Sequence, residues 1–297
     1  TPVASGPQGL ALDDQSTGRR RNGPPGVVLL EADVRDEAAV DAAVADADLV
    51  LHFAAAVGAR VVAQDPAGTW TRNVSGTAVV LDACVRHGRR VLLASSSEVY
   101  GPESEGPLAE DDPSVLRPSG RRDVYALSKA AGEAYAVALH RTRLLPVTAV
   151  RLFNVVGAGQ SDRYGMVLPR FVAAAREGRP LPVYGDGTQR RCFLHVDDAI
   201  RAILALAATP ASEGLVVNVG TREEVAILDL ARIVLDETGG GDVEFIPFAR
   251  VYGEGFQDPQ RRVPDVGRLE ALTGFVPQRG VRDAVRDLLA AATIVQE

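Results

Sequence analysis

Short apolar runs of strand length recur along the first half of this chain, and most are followed by a stretch of helical character. Residues 10–13, 27–32, 49–53, 91–95 and 147–152 read as strands, and residues 37–45, 68–85 and 125–141 read as helices. Strands that are apolar on both faces belong in a sheet covered on both sides, and helices between them supply the crossovers that parallel pairing requires. The pattern therefore predicts an α/β fold built on a parallel sheet. Sheets of this kind bind ligands beyond the carboxyl ends of their strands, so chemistry is expected just after each apolar run.

Charge and cysteine usage narrow the classes. The 297 residues carry 32 Lys plus Arg against 39 Asp plus Glu, a formal net charge of −7. That balance offers no basic field for nucleic acid or a membrane surface. No apolar run approaches the roughly 20 residues of a membrane span, and no signal peptide is visible. Cys84 and Cys192 are far apart and lack metal-ligand spacing, so no metal is expected and a reducing, cytoplasmic setting suits them. There are no repeats, and the nearest thing to a linker is residues 238–242, with three consecutive glycines.

Two segments carry the chemistry. Ser95-Ser96-Ser97-Glu98-Val99-Tyr100-Gly101 closes the strand at 91–95, and Tyr125-Ala126-Leu127-Ser128-Lys129 opens an alanine-rich helix. A tyrosine and a lysine four residues apart share one helical face. A free phenol, with a pKa of about 10, is a poor base at neutral pH. A neighbouring ammonium favours its phenolate, and a hydroxyl from a strand end can complete a proton relay. Together they can take the proton of an alcohol whose carbon gives up a hydride.

With these motifs in this order, the chain resembles the extended short-chain dehydrogenase/reductase family, in its nucleotide-sugar epimerase/dehydratase branch, from about Leu10 to about Pro277. The resemblance implies a Rossmann-type doubly wound sheet, with a smaller α/β substrate domain after it. Residues 1–157 would form the NAD-binding domain and residues 158–297 mainly the substrate domain, with residues 196–219 returning to the first. It also implies a homodimer through the helices at 68–85 and 125–141, although their apolar residues would serve equally to cover the sheet.

The same resemblance assigns cofactor positions. Asp13 would accept hydrogen bonds from the adenosine ribose, favouring NAD over its phosphorylated form. Arg19, Arg20 and Arg21 read as solvated loop charges, with accommodation of a 2′-phosphate as the other reading. Asp33 and Val34 match adenine contacts, and His52-Phe53-Ala54-Ala55-Ala56 matches the small-residue strand end against which a cofactor lies. The glycine-rich turn that cradles a pyrophosphate normally precedes the ribose-binding acid by about 20 residues. Asp13 leaves no room for it, and Gly6 and Gly9 lack the spacing. The chain is accordingly expected to lack its natural N-terminus, and the rival expectation is a domain without that cradle which binds NAD poorly.

For catalysis, the resemblance makes Tyr125 the base for the sugar 4-hydroxyl, Lys129 the group that binds the nicotinamide ribose and lowers the phenol's pKa, and Ser96 the hydroxyl partner. Glu98 bears on the branch. Dehydratases carry an acidic pair where this chain has Ser97 and Glu98, and nucleotide-sugar decarboxylases carry Ser-Glu before Val-Tyr-Gly. The motif also resembles proteins assigned 4-epimerase activity. Sequence reading expects a UDP-hexose 4-epimerase first, then a decarboxylase or dehydratase using Glu98, then a non-catalytic nucleotide-binding protein.

Substrate contacts are implied at Asn154 (phosphates), at Val183 and Tyr184 in Leu181-Pro182-Val183-Tyr184-Gly185 (nucleobase), and at Arg191 and Arg262 (diphosphate). The segment from Tyr164 to Phe171 would start a helix over the substrate. Two planar guanidinium forks closing on a diphosphate make chemical sense. His195 is read as structural, at the start of a helix whose first turn holds Asp197 and Asp198, where carboxylates complement the helix dipole.

Overall fold

A computed structural model describes residues 9–16, 26–102, 106–118, 123–160, 165–253 and 258–293. Arg19, Arg20, Arg21, Gly6 and Tyr164 lie outside the described residues. In the first half, strands β1 (Leu10–Asp13) and β2 (Val28–Glu31) precede α1 (Glu37–Ala45) and β3 (Leu49–His52). Helices α2 (Ala59–Gln64) and α3 (Pro66–His87), β4 (Arg90–Ser96), β5 (Pro107–Leu108), α4 (Asp123–Arg143) and β6 (Val147–Leu152) follow. The second half starts with β7 (Val155–Val156), α5 (Val167–Arg176), β8 (Leu181–Tyr184), β9 (Arg190–Cys192), β10 (Leu194–His195) and α6 (Val196–Ala207). Next come β11 (Val216–Val219), β12 (Glu224–Ala226), α7 (Ile227–Thr238) and β13 (Val243–Ile246). The chain continues through α8 (Phe248–Tyr252), β14 (Arg261–Pro264), α9 (Gly267–Thr273) and α10 (Val281–Thr293).

The elements expected from periodicity are present with bounds that agree to within two residues at each end. Their ends are set by local chemistry. Asp36 caps α1 by accepting from the amides of Ala38 and Ala39. Asp65 accepts from Gly68 N at 2.8 Å while Pro66 occupies the first turn of α3, where a missing N–H costs nothing. At its far end Gly88 takes the left-handed conformation at φ +62°. The short α2 carries no pattern that sequence reading used.

The parallel sheet is divided. Four parallel strands run in the order β11-β6-β4-β3, while β1 and β2 pair parallel as a separate two-stranded sheet. Among the described residues no strand joins β1 to β3. The two parts share a core instead. Leu12 of β1 and Val50 of β3 pack on one cluster with Val34, Val40, Val80, Leu81, Val91 and Leu93. Gly76 lets α3 approach the turn after β2, since a Cβ there would sit 2.5 Å from Val34 Cγ1.

Helix α6 covers the other face of the four-stranded sheet, with Ala202, Ile203 and Leu206 against Leu92, Val150 and Val217. A second core lies in the later half, where α5, α7 and α10 enclose Phe171, Leu181, Val183, Leu230 and Val285. There β9 pairs with β12 and β14, and β8 pairs with β13. The two halves meet beyond the carboxyl ends of β4 and β6.

Candidate active site

Strand β4 ends in Ser95 and Ser96, and the chain then winds into one 3₁₀ turn over Ser97–Tyr100. Ser96 caps that turn, its Oγ accepting from Glu98 N at 3.2 Å. Gly101, at φ +83°, closes it against the Val115 carbonyl, with no room for a Cβ. These constraints place Ser96 and Glu98 on the wall of a cavity of about 420 Å³. Tyr125, Asn154, Tyr184, Arg191 and Arg262 also line it. A single space thus joins the reaction residues to the residues expected to hold a diphosphate.

Tyr125 stands on the first turn of α4, hydrogen-bonded to Ser96. Its phenol is pushed up from its ordinary value by burial and by the Glu98 carboxylate, with the Ser96 hydrogen bond acting in the opposite sense. This differs from the expectation that Lys129 lowers it. The Lys129 ammonium lies 6.0 Å from the Tyr125 ring centroid and donates to Ala94 O at 3.0 Å. Burial brings Lys129 itself down to about 8, partly opposed by Glu133. Desolvation outweighs the charge of an ammonium 6.0 Å from the ring centroid.

Beneath these groups lies a polar network that sequence reading missed. Asn73 of α3 accepts from Ala56 N at 2.8 Å and donates to Ala56 O and to Ser128 Oγ. Ser128 in turn donates to Tyr125 O at 2.7 Å. Arg151 makes a forked pair with Glu133, at 3.0 and 2.8 Å, and its guanidinium lies 4.6 Å from the Tyr100 ring centroid. His52 bonds Thr77 Oγ1 at 3.0 Å and is driven down to about 3 by burial and by Lys129. His52, Ala56 and Ser128 fall inside the segments quoted above, but no spacing in those segments encodes their pairing with Thr77 and Asn73 or that of Arg151 with Glu133.

The diphosphate candidates converge from separate strands. Arg191 of β9 and Arg262 of β14 are register partners. Arg191 donates to Asp258 at 2.6 Å, and Arg262 stands 4.0 Å from Glu98. Asn154, at φ +40°, donates to Cys192 O at 2.8 Å. Val183 is not on the cavity wall, because its side chain belongs to the core and β8 pairs with β13. Tyr184 is on the wall, but the Arg170 guanidinium covers it at 3.9 Å and Tyr252 meets it edge-on at 5.9 Å.

The residues expected to hold NAD lie along the strand ends. At the nicotinamide end, among the described residues, the buried Lys129 ammonium donates only to a carbonyl and the buried Ser95 Oγ has no hydrogen-bond partner. Such groups suit a polar ligand. Phe53 and Ala54 are exposed and Ala55 is half-buried after β3, as a surface for a planar group requires. At the adenosine end, Asp13 is exposed and accepts from Gln15 N at 2.6 Å. Asp33 pairs with Arg35, whose guanidinium holds the carboxyl down at about 2. Val34 packs inward on α3. Asp13 and Lys129 present groups that suit the two ends of a dinucleotide, whereas the Val34 side chain belongs to the core.

His195 caps α6 through Nδ1, which accepts from Asp197 N, and bonds Asp287 through Nε2. His195, Asp197 and Asp287 gather closely enough to suggest a metal, but Arg279 donates to both carboxylates at 2.7 and 2.9 Å. That guanidinium already supplies the cation. No described helix is long and apolar enough to cross a membrane.

Comparison with known proteins agrees with this geometry. The model of the NAD dependent epimerase/dehydratase family matches residues 4–220. The chain is 32% identical over 267 residues to a UDP-N-acetyl-alpha-D-glucosaminuronate decarboxylase of Bacillus cytotoxicus, covering 88% of this chain and 82% of that one. It is 31% identical over 281 residues to UDP-glucuronic acid decarboxylase 1 of Xenopus tropicalis, covering 93% of this chain and 64% of the relative's length. A dTDP-glucose 4,6-dehydratase from Streptomyces venezuelae, solved with NAD and TYD bound, superposes with a TM-score of 0.81 at 30% identity. That match covers 93% of this chain and 86% of the dehydratase.

Proposed function

Because the chain belongs to the NAD dependent epimerase/dehydratase family and is an enzyme of that group, we propose that it oxidises a UDP-hexuronate at C4 and then removes its carboxylate. The observation that carries this reading is the meeting of Tyr125, Ser96 and Glu98 on one wall of the cavity that Arg191 and Arg262 also line. NAD, when bound, supplies the hydride acceptor and later returns the hydride. Tyr125 takes the proton of the 4-hydroxyl as the C4–H bond breaks, and Ser96 holds that oxygen in place. Lys129, Asp13 and Asp33 hold the cofactor's two ends.

The resulting 4-ketone makes the sugar a β-keto acid. Its C5–C6 bond breaks, carbon dioxide leaves, and the electron pair forms an enolate across C4 and C5. Glu98 handles the proton that C5 then receives, and Tyr125 gives its proton back to the 4-oxygen as C4 is reduced. The acid Glu98 and the decarboxylases among the relatives favour this over the 4-epimerase that sequence reading put first.

A second reading has an observation of its own. Glu98 stands 4.0 Å from Arg262. A carboxylate engaged there can anchor the 3₁₀ turn, and oxidation, rotation of the ketosugar and reduction would then give a 4-epimerase that needs only Tyr125 and Ser96. We place either enzyme in the cytoplasm as a homodimer, through α3 and α4. The test incubates the protein and NAD with UDP-glucuronate, UDP-N-acetylglucosaminuronate and UDP-glucose, reading products by mass and NMR. Loss of carbon dioxide, with formation of the UDP-pentose slowed in Glu98→Gln, supports decarboxylation. Inversion at C4 with unchanged mass, persisting in Glu98→Gln, replaces it with epimerisation.

A further inference from the structure

Three guanidinium groups line the cavity, and only two carboxylates, Glu98 and Asp258, line it among the described residues. Arg191 is paired with Asp258, and Arg262 stands beside Glu98. Arg170, on the first turn of α5, has no carboxylate among the described residues. Its guanidinium lies over the Tyr184 ring at 3.9 Å, and its Nη1 has a long contact of 3.4 Å to Gly165 O. The Tyr252 hydroxyl is a further hydrogen-bond partner. Its Nε is buried with no partner.

A guanidinium cannot shed its proton to escape such a site, and leaving a partly buried cation without an anion is costly. Stacking on a tyrosine face offsets a share of that cost and fixes the plane of the fork, leaving its donor edge for a ligand. The neighbouring arginines are balanced locally, so the net positive charge of the described cavity wall is that of Arg170.

We propose that Arg170 is a third anion-binding residue for the substrate's diphosphate, and that it sets the affinity for a nucleoside diphosphate. This rests on the nucleotide-sugar reading above. It also reassigns Tyr184, which serves as the platform under Arg170 on the face that sequence reading gave to the nucleobase.

The experiment is calorimetric titration of UDP, and separately dTDP, into wild type, Arg170→Gln and Arg170→Lys at several NaCl concentrations, with thermal unfolding of each protein alongside. Loss of a charge-assisted hydrogen bond predicts UDP binding about 10- to 100-fold weaker in Arg170→Gln. The salt dependence should flatten in that variant and recover in Arg170→Lys. Arg170→Gln binding UDP as wild type does would overturn the proposal. So would weaker binding with undiminished salt dependence, which assigns Arg170 to propping Tyr184. Wild type that binds neither UDP nor dTDP defeats the nucleotide-sugar reading and this inference with it, so the two failures are distinct. If Arg170→Gln does not fold, Arg170→Lys decides alone: affinity and salt slope close to wild type support the charge, and a full loss of affinity sinks it.

Discussion

The two ends of the cavity are built on different principles. At the reaction end, Tyr125, Lys129 and Ser96 sit on α4 and β4, above buried polar pairs that cross from α3 to α4 and from α4 to β6. At the nucleotide end, Arg170, Arg191 and Arg262 arrive from α5, β9 and β14, and their partners are a carboxylate or an aromatic face on the cavity rim. The first end is a packed core with reactive groups on its upper surface. The second is a ring of charge set by strand register. Damage to the first should therefore cost stability or rate, and damage to the second should cost affinity.

The sharpest break in that comparison is Tyr125→Phe. It removes one hydroxyl and no packing, so turnover should fall by about 10²- to 10⁴-fold. UDP affinity should stay near wild type, as titration alongside steady-state assays would show. A parallel fall in affinity would mean that the two ends are not separable.

Next in size is Glu133→Leu. Glu133 and Arg151 have side chains about 8% exposed, and stranding one partner of such a pair costs about 3–5 kcal/mol. Denaturant unfolding should register that loss. Asp258→Asn, which removes the charge paired with Arg191 but keeps an amide acceptor in its place, should change unfolding less and UDP binding clearly. Equal stability losses in the two variants would erase the distinction.

A smaller effect separates the ends by pH. His52 is held down at about 3 in the fold, against about 6.5 in an unfolded chain. Below pH 6.5 the unfolded state takes up a proton that the folded state refuses, so stability falls as pH falls, until about pH 3. At pH 5 the loss amounts to about 2 kcal/mol. His52→Gln should remove this component, seen as a smaller difference between unfolding at pH 7 and at pH 5. An unchanged difference would place the acid sensitivity elsewhere.

Much of the fold was legible because the strands of the first half are short, apolar and separated by helical patterns. Leu10–Asp13, Glu37–Ala45 and Val147–Leu152 appear with the very bounds that their patterns mark. The site was legible where motifs have fixed spacing: Tyr125 and Lys129 share a helix, and Ser96 ends a strand. What could not be read is what depends on distant pairings. Arg262 lies beside Glu98 because β14 and β9 align Arg262 with Arg191, which no local spacing encodes. The direction of the Tyr125 shift depends on how deeply the ring is buried and on where the Lys129 amine ends up, both tertiary facts. The burial of the Val183 side chain could not be read either, because the resemblance that marks its strand does not say which face is the core.

The core shared by β1, β4 and α4 has a consequence for the cofactor. Asp13 and Asp33 stand at one end of the expected NAD site and Lys129 at the other, while Leu12, Val34, Leu93 and Ala136 of a single cluster lie under both. A substitution that thins this cluster should therefore loosen the grip on a bound dinucleotide at its two ends together.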